Sequence, residues 1–156
     1  MVHLVALALW LGGMIFFLVV LGPAVRESEA PIAIKTLNRG RIGLEIISWT
    51  AIALLLASGT VNSMIRAQAE GAAPGGMYGF LLGAKLLLFA AMVIHHGLQV
   101  FKYAPRIAAL TDNLPAGERA WPEPLLSNWR RWFLLLKINA ALGPIAMFLG
   151  IAAAAS

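Results

Sequence analysis

The sequence predicts an all-α fold: an integral membrane bundle of four helices, with the N and C termini outside. Three observations predict it. The chain is 60% hydrophobic and only 12% charged, where a soluble domain is about half apolar and about a quarter charged, and its mean hydropathy is +0.81. The apolar residues gather into four long segments, roughly 3–25, 42–67, 77–102 and 132–155. Each can cross a hydrocarbon core of about 30 Å at about 1.5 Å per residue. No stretch alternates in polarity as a half-buried strand does. The chain therefore reads as one transmembrane domain, 1–156.

The first segment begins at residue 3, with no basic stretch before it and no convincing cleavage site. It reads as a spanning helix and not as a removed signal. Gly22 and Pro23 stand where a helix can stop. His3, Trp10 and Met14 share one of its faces.

The first loop carries Arg26, Lys35, Arg39 and Arg41. The second, about 66–77, carries only Arg66 beside the turn GAAPGG, and the third, about 103–131, carries Arg106, Arg119, Arg130 and Arg131, with Lys102 at its edge. This bias places loops one and three in the cytoplasm and both termini outside. It also accounts for the net charge of +5 as topology, so nucleic acid is not an expected partner. Trp121, Trp129 and Trp132 fit an interfacial aromatic belt.

In the second segment, Glu45 can pair with Arg41 at i, i+4 spacing as a structural ion pair. Ser58 and Gly59 let helices approach closely. The third segment, from Tyr78 to His96, holds the unusual chemistry. At about 100° per residue, Tyr78, Lys85, Met92 and His96 fall on one face, and His95 points roughly 80° away from His96. An ionisable group such as Lys85 in mid-span is a functional candidate, because hydrocarbon excludes it from the lipid face. In the fourth segment Lys137 can snorkel, and Asn139 shares a face with Gly143 and reads as an interhelical hydrogen bond. No internal repeat is visible; the hairpins 1–67 and 77–156 do not look alike residue for residue.

Two sets of candidate ligands follow. The outer end collects His3, Met64, Met77 and Met147, and imidazole with thioethers suits copper, above all Cu(I). The inner end holds His96 and His95, with Lys85 between the two ends. His96 can be an axial ligand of haem b, with Lys85 near a propionate. If helices one and three start at the same level, His96 lies roughly 28 Å further in than His3, too far for one shared metal. The chain has no cysteine, which removes thiolate sites, iron–sulfur clusters and cysteine nucleophiles. It has no HExxH, P-loop or GxSxG motif. No catalytic residue is assigned, and a redox role enters only with a bound haem.

The segment His3–Phe16, HLVALALWLGGMIF, resembles the first helix of the copper resistance protein D (CopD-like) membrane family, with a His, a Trp seven residues later, then Gly-Gly. SGTVN at 58–62 is similar to the small-residue ending of that family's next helix. YGFLLGAK at 78–85 resembles its Tyr-Gly-x-x-Leu-x-x-Lys pattern, and Lys137, Asn139 and Gly143 resemble its last helix. The same pieces are distantly similar to the haem-associated HemJ-type protoporphyrinogen oxidases. There too a Lys precedes a His by eleven, here Lys85 and His96. Those proteins end the first helix in a basic, His-containing stretch where this chain has LGPAVR, so the similarity implies haem binding more than oxidase activity.

The first resemblance implies a multi-pass protein of a bacterial-type inner (plasma) membrane. It would handle copper, in uptake or tolerance, with His3 and the outer methionines as entry ligands and Lys85 tuning a polar path. The alternative is a haem b subunit passing electrons between a quinol and a partner. A third reading is a structural subunit. The lipid bilayer is the expected partner, with a homo-oligomer or larger membrane complex beyond it.

Overall fold

The computed structural model describes residues 1–70, 76–114 and 120–155. Among these the chain is helical with no strand. Four helices are long and apolar enough to cross a membrane: α1 (Val2–Glu27), α2 (Ala30–Gln68), α3 (Gly76–Asp112) and α4 (Glu123–Ala153). The outside of the bundle is apolar. Leu87, Phe101 and Phe80 are each more than 70% exposed, which in a membrane means contact with lipid. The protein is an integral membrane bundle.

The helices run longer than their apolar segments. Only Ser28 and Glu29 separate α1 from α2, so Lys35, Arg39 and Arg41 belong to α2 and not to a loop. Likewise Arg106 lies within α3, and Arg130 and Arg131 lie within α4. Charged residues interrupt hydropathy without interrupting a helix, since Lys and Arg are good helix formers. Arg119 and most of the GAAPGG turn lie outside the described residues. The bundle thus has a basic end, where α1 meets α2, and an opposite, terminal end.

α1 packs along both α2 and α4. At Gly40 an added Cβ would stand 2.4 Å from Leu21 and 3.2 Å from Phe17; at Gly143 it would stand 2.9 Å from Leu11. Small residues at these crossings let the backbones approach. At the basic end, Phe17 of α1 meets Trp132 and Phe133 of α4 with ring centroids 5.1 and 5.7 Å apart, and Trp129 joins the cluster 5.5 Å from Trp132. Trp129 and Trp132 are 2% and 1% exposed. They are core residues and not an interfacial belt, because α4 begins early enough to turn both rings toward α1. At the terminal end, Arg66 of α2 donates to the Ala153 carbonyl of α4 at 2.8 Å and lies over the Tyr78 ring of α3 at 3.8 Å.

The two hairpins share a plan that the residues hide. In α1 a π-helical turn, Phe17–Leu21, comes just before Pro23; in α3 another, Leu98–Tyr103, comes just before Pro105. A proline lacks an N–H and crowds the carbonyl four residues back, and a wider turn relieves both. Pro105 lies 82 positions after Pro23, and Lys85 lies 82 after His3. His3 stands against Gly59 of α2 as Lys85 stands against Gly150 of α4.

Trp132→Ala is expected to lower stability by about 3–5 kcal/mol, the usual cost of deleting a buried large aromatic side chain. Phe101→Ala, on the lipid-facing surface, should change it little. Reversible unfolding in detergent, with both variants beside the parent, checks this.

Candidate functional site

Two polar clusters lie inside the bundle at different depths. Nearer the terminal end, His3 Nδ1 lies 2.8 Å from Ser58 Oγ. The Ser58 hydroxyl already donates to the Leu54 carbonyl one turn back, so its oxygen accepts from His3 Nδ1–H. That tautomer leaves the His3 Nε2 lone pair as a potential ligand, oriented through Ser58. Lys85 lies close enough for its charge to act on the His3 ring. Its Nζ is 3.0 Å from where a Cβ on Gly150 would stand. A protonated Lys85 therefore opposes a cation at His3, and a neutral one does not.

The methionines do not join this cluster. Met64 lies six residues past Ser58, about 9 Å toward the terminal end, and Met77 lies eight residues before Lys85, about 12 Å in the same direction. Both are more than 60% exposed. Met147, half-buried and one turn from Gly150, is the one near the His3 level. Trp10 of α1 meets Phe89 of α3, centroids 6.0 Å apart, so α1 starts opposite the second turn of α3 and not opposite its first. The axial gap from His3 to His96 is therefore shorter than a common starting level implies. Measured from Lys85, eleven residues before His96, it is about 16 Å. It still separates the two imidazoles into different sites.

The second cluster lies in the half toward the basic end. His95 Nδ1 is 3.0 Å from Asn139 Oδ1, and Asn139 Nδ2 donates to the Met92 carbonyl at 3.0 Å. Since the amide nitrogen is the donor there, the oxygen accepts the His95 proton. Gln99 donates to the Trp132 carbonyl at 3.0 Å. Asn139 and Gln99 are each 1% exposed, and together they fasten α3 to α4. Arg41, 4% exposed, places its Nε and Nη2 on Asn38 and its Nη1 on Glu45, closing its charge within α2. Asn139, Arg41 and Glu45 all have partners.

His96 is different. It is 4% exposed, and its Nε2 has no hydrogen-bond partner among the described residues. Its ring meets the edge of Trp49 from α2 with centroids 5.1 Å apart. Met92, one turn earlier on the same face, is 2% exposed. A buried imidazole nitrogen without a partner is costly, and a soft metal ion held by nitrogen and thioether would satisfy it. Sequence reasoning placed Met92 on the His96 face but did not assign it as a ligand; its i, i+4 spacing from His96 was the available signal. Trp49 and Gln99 carried no such signal. Among the described residues no group of three or more His, Asp or Glu side chains could hold a metal.

The family model of copper resistance protein D matches residues 41–155. The match takes in most of the chain, including Arg41, Lys85, Met92, His96 and Asn139, and leaves His3 and the rest of α1 outside it. Neither a curated protein nor a solved structure matches the chain.

Glu45→Ala should cost about 3–5 kcal/mol of stability, because it strands the buried Arg41 charge. The double change Arg41→Met with Glu45→Leu should cost much less. Chemical unfolding of the parent and the two variants in the same detergent measures the difference, and equal losses would show that the pair is not coupled.

Proposed function

The chain belongs to the copper resistance protein D family, and from that premise we propose that it handles copper inside a bacterial-type plasma membrane, in uptake or tolerance. The observation that carries the reading is the buried His96 with its unpartnered Nε2 and Met92 one turn away. Nitrogen and thioether in a dry site favour Cu(I) over harder cations. Met14 of α1, also 2% exposed, is a further soft side chain on an inward face.

The terminal end is the outward side in this reading, since the basic end suits the cytoplasm. His3, with Met147 near its level, is the entry, and Met64 and Met77 are exposed capture points beyond it. Lys85 sets how readily a cation passes His3. The unpartnered His96 nitrogen is also what an axial ligand of haem b presents, so the decisive test must separate copper from haem. His95 has less to offer either metal, because Asn139 already holds it.

The test uses the purified full chain in detergent. Cu(I) binding is titrated against a competing chelator, and iron and the visible spectrum are measured on the same sample. Stoichiometric Cu(I) binding is expected, weakened by about tenfold or more in His96→Ala and less in Met92→Leu, with no Soret band. Unchanged Cu(I) affinity in both variants would sink the site. A Soret band with stoichiometric iron would replace copper with haem.

A further inference from the structure

Near the basic end a cleft of about 490 Å³ opens between α1 and α4. Its lining carries, among the described residues, three cations, Arg26, Arg130 and Lys137, and no carboxylate. Among the described residues the only ion pair is Arg41–Glu45, so none of the three is ion-paired with another described residue. Its walls are otherwise mainly apolar, with Leu18, Leu126 and Phe133 on them. Trp129 also lines it, 2% exposed, and its indole N–H has no acceptor among the described residues.

We propose that this cleft binds the headgroup of an acidic phospholipid. The three cations require a negative partner, and the apolar walls require one that is not a bare ion. Lys137 lies seven residues beyond Arg130 along α4, about 10 Å deeper into the span. The cations thus follow a line from the helix ends into the apolar region, as a phosphate with its glycerol and first methylenes does. The volume holds a headgroup and not a whole lipid, so the acyl chains continue into the bilayer past Leu18 and Phe133. Basic clefts between spanning helices hold anionic headgroups in this way.

The proposal does not follow from the shared plan of the hairpins. Shifted by that 82-residue spacing, Arg26 of α1 corresponds to Ala108 of α3. The cleft is a property of one side of the bundle.

The experiment equilibrates the detergent-purified full chain with mixed micelles of phosphatidylglycerol and phosphatidylcholine and quantifies retained lipid by mass spectrometry. Phosphatidylglycerol should be retained preferentially. Each of Arg26→Gln, Arg130→Gln and Lys137→Gln should reduce that preference about fivefold, while Arg39→Gln, an exposed arginine outside the cleft, should not. Size-exclusion profiles and helical content establish that the variants are folded, and any single folded variant decides the matter. Equal retention of the two lipids, or equal loss in Arg39→Gln, would overturn the proposal. So would inorganic phosphate displacing phosphatidylglycerol at millimolar concentration, since that would identify a free-anion site.

Discussion

A polar group inside hydrocarbon has no water to turn to, so it must find its partner within the protein. The interior of this bundle is arranged by that constraint. Arg41 is closed by Asn38 and Glu45 within one helix. Asn139 and Gln99 fasten α3 to α4 by reaching backbone carbonyls and His95. His3 rests on Ser58 across α1 and α2. Among the described residues three buried nitrogens stand outside this pattern, the indole N–H groups of Trp129 and Trp132 and Nε2 of His96, and of these only the imidazole nitrogen is a metal ligand. The copper reading begins from that exception.

Much of the fold was legible in the chain because hydrocarbon thickness imposes a minimum length on apolar runs. All four spanning helices were visible in this way. Their ends were not. Lys35, Arg39, Arg130 and Arg131 lower hydropathy but continue the helices, so hydropathy marks where lipid is contacted and not where helix stops. The tryptophans misled for a related reason. A Trp near a span's end suits an interface, but Trp132 meets Phe17 across a helix pair and Trp129 packs on Trp132 and Phe133, and pairing of helices is not written in composition.

The site was partly legible. The inward face of α3 could be laid out from its periodicity, and it includes Lys85, Met92 and His96. The partners supplied by other helices could not, since Ser58, Trp49 and Asn139 meet the histidines only through tertiary packing. The relative heights of His3 and the methionines were also invisible. They depend on where α1 begins against α3, and no local pattern carries that offset. Only the contact between Trp10 and Phe89 reveals it.

The two π turns bear on how relatives of this chain are to be compared. A π turn takes up one residue more than an α turn, and one residue is about 100° of rotation. In a family alignment, a single gap within 17–21 or 98–103 would look like a trivial shortening. Physically it would remove the extra residue and leave an α turn: the segment beyond, carrying Pro23 and Arg26 or Pro105 and Arg106, would keep its heading, but the carbonyl crowded by the proline would lose the wider turn that relieves it. Such a gap separates relatives by the crowding left at the proline and not by the direction of their basic ends.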